Sequence, residues 1–310
     1  MLSNAQIINK AGAIQTSSLS HGLLNPEQAK KFIKQTFDAA NLLPLVRHVM
    51  RTAKSGEIDK IGIAARLLRK KTENTDDGYR ADVITRVIEY ICKATRLPWE
   101  ITEETLRENI EGQQLEAVIT ELMTTQLGID LEDLCLNGDE DTPSSDKDYE
   151  FLCQNDGWIK QISNGGHVYD ASGDSVMNLD IFYKTLGQIP NKYNNGKLRW
   201  LMSPKRAQQW ELYLMNQVIE KGGAVPESVY TQPVHIPSIP CPSMSDNKIL
   251  LTDPKNLIVV NTYDMKIRKT TEGKEAIMQD KRFYVCHLDL DPIIEELDAT
   301  AIITNLPSLD

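Results

Sequence analysis

The chain has 310 residues, a formal net charge of −10 and no run of about 18 apolar residues, which excludes a membrane-spanning helix. A quarter of its residues are charged, as in globular proteins, and the acidic balance argues against a protein built to grip nucleic acid with one coherent basic face. The five cysteines are widely spaced and form no C-x-x-C pair, so we expect reduced, mostly buried thiols rather than disulfides or a zinc site.

The N-terminal residues predict an arm followed by a helix. Residues 1–21 are polar and aperiodic, which indicates an extended arm, and they lack the basic start and apolar block of a secretory signal. We therefore expect the chain to stay in the cell that makes it. Asn25, Pro26 and Glu27 combine a cap, a first-turn proline and an acid at the positive helix end. They predict a helix that runs to about Ala40.

A polar hairpin is predicted next. Residues 45–50, 57–61 and the long run 83–101 read as strands, and Asp76-Asp77-Gly78 between them is a hairpin turn signal. The tip of this excursion has almost no apolar surface, and a lone hairpin is marginal in water. We therefore expect it to rest on a neighbouring subunit.

A long amphipathic helix is predicted after a short one that begins at Thr102. It runs from Gln113 to about Leu136, and Asn137-Gly138 ends it. Its apolar residues recur every three or four positions, at Leu115, Ile119, Met123, Leu127, Leu131 and Leu134. Residues 100–150 contain sixteen acids against Arg107 and Lys147, so this block alone has a net charge of −14.

The second half predicts a mixed helix and strand region over residues 157–275. A helix should precede Gly187, another should follow Ser203, and short proline-rich strands should come after it. Strands are then expected at Phe283–Leu290 and Ala299–Thr304. The four tryptophans are expected in the core: Trp99, Trp158, Trp200 and Trp210.

The glycine-containing run 163–175 is the best candidate for a catalytic site. Ser163, His167 and Asp170 suggest a nucleophile, a base and an orienting acid. The sequence has no G-x-S-x-G, no H-E-x-x-H, no Walker loop and no G-x-G-x-x-G. We therefore interpret the run as a surface loop with turn residues, and expect no catalytic, metal-binding or cofactor-binding residues.

An arm, an unsupported hairpin, a long helix and no catalytic site suit an assembly subunit. The chain resembles the major capsid proteins of tailed bacteriophages, which have the Hong Kong 97-type fold. The resemblance rests on five stretches of the sequence: GLLNPEQAKKFI (22–33), EIDKIGIAARLLRKKTENTDDGYRAD (57–82), KATRLPWEITEETLRENIEGQQLEAVITELMTTQLGIDLEDLCLNGD (93–139), ILLTDPKNLIVV (249–260) and the strand before ATAIITNLP (299–307).

The resemblance implies an α+β fold with four parts. These are an N-terminal arm with its helix (1–53), an extended β-hairpin loop (54–97), a peripheral domain (98–149 and 276–310) with the spine helix at 113–136, and an axial domain (150–275). It also implies contacts between subunits through the loop, expected at Arg66, Arg69, Lys70, Lys71, Glu73, Asp76, Asp77, Tyr79 and Arg80.

The implied function is self-assembly into pentamers and hexamers of the icosahedral shell that encloses a phage genome. Such a protein is not an enzyme and needs no cofactor. Its expected partners are other copies of itself, a scaffolding protein, a portal protein, decoration proteins and packaged double-stranded DNA, which it contacts non-specifically. It is expected in the virion, after assembly in the cytoplasm of the bacterial host, without contact with a membrane.

Capsid proteins of this kind differ from one another in two further properties. Some carry a scaffolding segment before the arm; because the numbering here begins about twenty residues before the arm helix, we expect a separate scaffolding protein. Others form a covalent Lys–Asn bond between subunits. Lys70, Lys71, Asn256 and Asn305 do not align with such a site, so we expect no crosslink.

Three alternative functions stay open. An encapsulin-like compartment shell has the same fold but encloses a cargo enzyme, and its chain tends to begin with a cargo-docking helix rather than a polar tail. An enzyme that uses the run 163–175 belongs to a different class of protein. A tail or decoration protein is the third alternative, although those seldom combine a long helix with a protruding loop.

Overall fold

The computed structural model describes residues 40–62, 83–104, 115–220, 232–263 and 265–308, together with Leu68, Lys70, Glu73, Gly78 and Arg80. The predicted arm and nearly all of its helix lie outside these residues. So do Asp76 and Asp77 of the predicted hairpin turn, although Gly78 has the positive φ of 70° that such a turn needs.

The strands and helices of the described residues are numbered in chain order. The strands are β1 (Arg47–Met50), β2 (Ser55–Gly62), β3 (Ile84–Ile91), β4 (Lys93–Thr102), β5 (His167–Asp170), β6 (Arg199–Met202), β7 (Ser238–Pro240), β8 (Ile249–Thr252), β9 (Leu257–Asn261), β10 (Lys266–Thr270), β11 (Lys281–Ile294) and β12 (Ala301–Thr304). The helices are α1 (Leu115–Asn137), α2 (Tyr149–Leu152), α3 (Trp158–Gly165), α4 (Leu179–Gln188), α5 (Pro204–Glu220) and α6 (Lys274–Gln279). No helix in this part of the chain is long and apolar enough to cross a bilayer.

Two five-stranded sheets organise the fold. In the first sheet the strand order is β1-β9-β11-β10, and β4 also pairs with β11. Strand β11 is long enough to pair with β10 and β4 along its first part and with β9 along its last four residues. The second sheet has the order β5-β12-β8-β6-β7, and β2 and β3 form a separate two-stranded sheet.

The sheets do not coincide with the expected domain boundaries. Strands β9 and β10 fall within the expected axial range 150–275 but pair with β11 of the first sheet. Strand β12 falls within the expected peripheral range but pairs with β5 and β8 of the second sheet. These three strands therefore cross between the expected parts, which a division by sequence alone does not anticipate.

Helix α1 confirms the predicted spine helix and its apolar stripe. Ile119, Leu127, Leu131 and Leu134 are buried in the main core, and Leu115 and Met123 pack against it half-buried. The helix ends at Asn137, one residue beyond the prediction, and Gly138 then allows a close approach of two chain segments. A Cβ at Gly138 would lie 2.3 Å from the carbonyl oxygen of Asn155, so no other residue fits there without a backbone shift.

The four tryptophans lie in two hydrophobic cores. Trp99 and Trp158 lie in the core between α1 and the first sheet, and Trp200 and Trp210 lie in a core under the second sheet. In the second core Phe182 meets both Trp200 and Trp210 edge to face with ring centroids 4.9 Å apart. The prediction that all four tryptophans are core residues is confirmed.

Four of the five cysteines are buried, as predicted, and Cys153 is half-buried. Burial raises the pKa of Cys92 and of Cys286 to about 12, because the apolar surroundings disfavour the thiolate. Burial also raises the pKa of Cys135 and Cys241. These thiols are therefore core groups.

Two glutamates fasten α1 at its ends. Near the N-terminus, Glu116 accepts hydrogen bonds from Lys269 at 2.6 Å, Tyr284 at 2.7 Å and Arg282 at 3.3 Å, all on the first sheet. Near the C-terminus, Glu132 is only 2% exposed and accepts a hydrogen bond from the backbone N–H of Leu42 at 2.7 Å. Burial raises the pKa of Glu132, and the hydrogen bond from the backbone of Leu42 opposes this shift. The helix is thus held to the sheet at one end and to the segment before β1 at the other.

The predicted strand over residues 83–101 is in fact two strands that meet at Cys92. Strand β3 pairs only with β2, whereas β4 joins the first sheet, so the chain changes partner at this point. Asp291 of β11 holds the corner, because its carboxylate accepts a hydrogen bond from the backbone N–H of Ile91 at 2.6 Å. Burial raises the pKa of Asp291 to about 6.

We expect Leu131→Ala to lower the free energy of unfolding by about 2–5 kcal/mol, because it leaves a cavity between α1 and the first sheet. The matched control is Leu122→Ala on the same helix, since Leu122 is 63% exposed and its loss should change stability by less than about 0.5 kcal/mol. Urea unfolding of the purified chain measures both. Equal effects of the two substitutions would contradict the assigned helix face.

We expect the stability of the chain to depend on the ionisation of Asp291. Because the folded-state pKa of about 6 is above the ordinary 3.8, its contribution is present below about pH 4 and is lost as the pH rises through 6. Relative to Asp291→Asn, the wild-type chain should lose about 1–3 kcal/mol between pH 4 and pH 7. Urea unfolding at both pH values tests this, and parallel pH profiles for the two proteins would refute it.

Candidate intersubunit interface

The hairpin of β2 and β3 leaves an entire face without a partner among the described residues. Its register runs from Ser55 opposite Ile91 to Gly62 opposite Ile84, and neither strand pairs with one of the larger sheets. Isolated two-stranded ribbons are marginally stable in water. The two strands of the predicted hairpin are confirmed. Residues 93–97, which were expected in the extended loop, belong to β4 instead.

The base of the hairpin is attached to the body by a small core. Tyr90 and Cys92 are buried there with Ile258, Val260 and Ile293 of the first sheet. The Tyr90 hydroxyl donates a hydrogen bond to the carbonyl oxygen of Ala53 at 3.2 Å.

An ion pair between Lys60 and Glu296 supports the hairpin farther along. Desolvation lowers the pKa of Lys60, although Glu295 nearby opposes this shift. The inward face of the hairpin is therefore attached to its own subunit.

The outward face of the hairpin exposes large apolar side chains. Cross-strand pairs that share this face include Ile61 with Thr85, and Val87 with Asp59. Ile61 is 72% exposed and Val87 is 49% exposed, and Leu68 in the loop beyond is 98% exposed. A row of exposed apolar residues on a protruding sheet marks a surface that another protein covers.

The loop residues predicted to contact neighbouring subunits are described only in part. Lys70, Glu73 and Arg80 lie within the described residues and are exposed there. The others lie outside them: Arg66, Arg69, Lys71, Asp76, Asp77 and Tyr79. Contacts of these loop residues with other subunits remain a prediction. The structure adds the exposed apolar residues of the stem as further candidates for such contacts, and the charged residues of the sequence do not reveal them. Ile58 and Ile61 are three residues apart in a strand, so they lie on opposite faces, and this spacing is the signal in the sequence that could have found an outward apolar residue.

The prediction of a surface loop over residues 163–175 is wrong for residues 163–170, and it is confirmed for residues 171–175, which form a turn after β5. Ser163 lies in α3, where its hydroxyl donates a hydrogen bond to the carbonyl oxygen of Ile159 at 2.7 Å. His167 and Asp170 lie in β5. The glycines at 165 and 166 are misleading in the sequence, because they mark the tight passage from α3 to β5 rather than a loop.

The same geometry does not assemble a catalytic triad. His167 and Asp170 are three residues apart in a strand, so their side chains point to opposite faces. Asp170 accepts hydrogen bonds from the backbone N–H of Ser172 at 3.0 Å and from Asn305 at 3.1 Å. Among the described residues, no group of three or more histidine, cysteine or acidic side chains is placed to hold a metal ion.

Two lysines form ion pairs with the acidic segment after α1, and one of them is Lys93, which pairs with Glu140. Lys160 forms ion pairs with Asp139 at 2.6 Å, Asp141 at 2.6 Å and Asp156 at 2.8 Å. Asp146, Asp148 and Glu150 farther along are exposed. The acidic segment after α1 is therefore a solvated surface that ion pairs hold together.

Comparison with known proteins agrees with this picture. No family model matches the chain. One relative is the protein described as "Putative prophage capsid protein YqbE" from Bacillus subtilis (strain 168), which is 27% identical over 320 residues. The match covers 98% of this chain and 99% of the relative.

Solved structures share the fold at low sequence identity. A chain of the satellite phage P4 procapsid that includes the size determination (Sid) protein matches with a TM-score of 0.65 and 14% identity, over 90% of this chain and 99% of that one. A Mycobacterium phage Adephagia chain matches with a TM-score of 0.58 and 12% identity, over 99% of this chain and 98% of that one.

An encapsulin is also similar. A chain of the holo-SrpI encapsulin complex from Synechococcus elongatus PCC 7942 matches with a TM-score of 0.50 and 13% identity, over 99% of this chain and 96% of that one. The predicted resemblance to tailed-phage major capsid proteins is thus confirmed, and the chain has the Hong Kong 97-type α+β fold.

Proposed function

We propose that this chain is a major capsid protein that self-assembles as pentamers and hexamers into the icosahedral head shell of a phage. The full-length likeness to a relative named as a prophage capsid protein supports this. The likeness of the fold to phage shell structures supports it as well. A structural role is what the capsid name of the sequence relative and the shell structures suggest.

The observation that carries the proposal is the unpartnered outward face of the β2–β3 hairpin. Burying an exposed isoleucine or valine stabilises a contact by roughly 1.5–3 kcal/mol, so one hairpin offers only a modest gain. In a closed shell every copy both gives and receives such a contact. Many weak contacts then act together, because once a subunit is held at one point its other contacts form at high effective concentration.

The parts of the chain fit this role as follows. We assign the arm to residues 1–53, the extended loop to 54–97, the peripheral domain to 98–149 and 276–310, and the axial domain to 150–275. The sheets suggest one refinement: β9 and β10 act with the peripheral domain, and β12 acts with the axial domain. Both sheets contribute to the main core, and the second sheet has a further core on its other face, so we expect the differences between pentamer and hexamer positions to lie mainly in the arm and the hairpin.

The proposed partners follow from this role. They are a separate scaffolding protein, a portal protein, decoration proteins and packaged double-stranded DNA that is contacted non-specifically. A net charge of −10 suits loose contact with DNA, because a shell that bound phosphates tightly would hinder packaging and ejection. We place the protein in the virion, after assembly in the cytoplasm of the bacterial host.

An encapsulin-like compartment is the second candidate, since an encapsulin shares the fold. Native particles distinguish the two functions by their contents. A phage shell contains double-stranded DNA, whereas an encapsulin contains a protein cargo. The name of the sequence relative favours the phage shell.

The direct test is electron microscopy of the purified, full-length chain, alone and with the scaffolding protein that its own genome encodes. We expect closed shells with pentamers and hexamers in at least one of the two samples. A protein that stays monomeric in both would overturn the proposed function.

The hairpin surface has its own test. Ile61→Asp combined with Val87→Asp should lower the shell yield at least tenfold, because each places a charge where apolar side chains must be buried. Ile61→Val is the matched control and should assemble like the wild type. Because both positions are exposed, the thermal midpoint of the unassembled chain should change by less than a few degrees. Normal shells from the double variant would contradict the assigned interface.

A further inference from the structure

The sequence contains three Asn-Gly pairs, which begin at Asn137, Asn164 and Asn195. In such a pair the backbone nitrogen of the glycine can attack the side-chain amide carbon of the asparagine, because glycine has no side chain to shield its nitrogen. The attack requires a free glycine N–H, an adaptable backbone and an asparagine side chain that is not held elsewhere. The structure places the three pairs in different surroundings, so it predicts different reactivities for them.

The pair at Asn137 is held by hydrogen bonds at both of its reacting groups. The Asn137 side-chain nitrogen donates hydrogen bonds to the Asp133 carboxylate at 2.6 Å and to the carbonyl oxygen of Ser243 at 2.7 Å. The backbone N–H of Gly138 donates to the carbonyl oxygen of Leu134 at 3.0 Å. The nitrogen that would attack and the amide that would leave are both engaged, so this pair should react only when the region opens.

The pair at Asn164 is restrained by a helix. Asn164 is exposed, but Asn164 and Gly165 are the last two residues of α3. Within a helix each backbone N–H is used in a hydrogen bond to the carbonyl oxygen four residues earlier, and this applies to Gly165. A Cβ at Gly165 would also lie 2.9 Å from Cδ1 of Leu297, so the backbone has little room to rearrange there.

The pair at Asn195 has none of these restraints. It lies in an exposed turn just before β6, where Gly196 has a φ of 80°. Apart from its chain neighbours, no atom lies within 4 Å of the position that a Cβ of Gly196 would take. Among the described residues, none accepts a hydrogen bond from the Gly196 N–H or from the Asn195 side-chain nitrogen. Both reacting groups are therefore free to meet.

The turn also favours the reaction at Asn195. The Oδ1 of Asn195 accepts a hydrogen bond from the backbone N–H of Lys197 at 3.0 Å, which folds the side-chain amide back over Gly196. When the Gly196 nitrogen attacks, negative charge develops on this oxygen, and the same N–H stabilises that charge. The Arg199 guanidinium donates to the carbonyl oxygen of Gly196 at 3.2 Å and places a positive charge beside the reacting groups.

We propose that Asn195 is a site of spontaneous covalent modification, at which the side-chain amide becomes a carboxylate. The Gly196 nitrogen forms a bond with Cγ of Asn195, and the bond between Cγ and Nδ2 breaks. The proton of the Gly196 nitrogen passes through solvent to the departing group, which leaves as ammonia. One water molecule then opens the five-membered succinimide ring at either of its two carbonyl carbons, which gives aspartate or isoaspartate. No electrons are transferred, and water is the only co-reactant.

The modification changes the charge and the backbone of this turn. Residues 189–199 contain Lys192, Lys197 and Arg199 and no acidic residue, so the new carboxylate appears among cations. The formal net charge of the chain falls by one unit, from −10 to −11. The isoaspartate product also adds one methylene group to the backbone just before β6. In the proposed shell every copy carries this site, so the particle would become more acidic as it ages.

Mass spectrometry of the ageing chain tests the proposal. The purified, full-length chain is kept at neutral pH in water enriched in heavy oxygen, and samples are digested with trypsin at intervals. Conversion of Asn195 inserts one heavy oxygen atom into the peptide Tyr193–Lys197 and gives two chromatographically distinct products. We expect Asn195 to react at least tenfold faster than Asn137 or Asn164, because the fold restrains the other two pairs. An Asn195 that stays unconverted, or reacts no faster than they do, would overturn the proposal.

Unfolding separates the effect of the fold from the effect of the local sequence. In concentrated urea the three pairs lose their native contacts, so Asn137 and Asn164 should react at rates within about threefold of that of Asn195. Differences that persist unchanged in urea would show that the sequence alone sets them, and the structural assignment would then fail.

Two variants identify the reacting residue. Asn195→Gln should abolish the labelled product, because the longer side chain closes the ring far less readily. The neighbouring Asn194→Gln should leave the rate within about twofold of the wild type, since Asn194 is not followed by glycine. A labelled product that survives Asn195→Gln would refute the assignment. These measurements use the unassembled chain, so their outcome does not depend on whether the chain forms shells.

Discussion

The burial of one face of α1 against the first sheet is the interaction on which the rest of this structure depends. The helix supplies Ile119, Leu127, Leu131 and Leu134 to the largest core, and β11 supplies the opposing residues. Because Glu116 and Glu132 hold the helix near its two ends, it also fixes the segment before β1 relative to the sheet. The hairpin leaves the body at the edge of this assembly, so a rigid spine gives the projecting strands a defined direction.

The features that the sequence predicts well are those that depend on local chemistry or on periodicity. The apolar period of three or four residues locates the C-terminal end of α1 to within one residue, and the strand predicted at 57–61 is observed at Ser55–Gly62. The stretch 93–139, which contains β4 and α1, is one of those that carry the resemblance to tailed-phage capsid proteins.

The features that it does not predict depend on contacts between distant segments. The split of the run 83–101 at Cys92 depends on Asp291, which is 200 residues away in sequence from Ile91. The assignment of β12 to the second sheet depends on pairing with β5 and β8, which no local pattern reveals. The glycine-containing run 163–175 reads as a loop because glycine signals a turn, whereas Ile162 before it and Tyr169 within it pack in the cores. Contacts between subunits are likewise predicted at charged loop residues, whereas the exposure of Ile61 and Val87 on the stem becomes apparent only in the structure.

The buried thiols determine how the chain responds to oxidants. A cysteine reacts with oxidants and forms disulfides through its thiolate, and burial suppresses that form in Cys92, Cys135, Cys241 and Cys286. In the proposed role the chain would pass from a reducing cytosol to aerated surroundings. These four core sulfur atoms should keep the same chemical state on both sides of that passage, so the packing of the cores would not depend on the redox conditions.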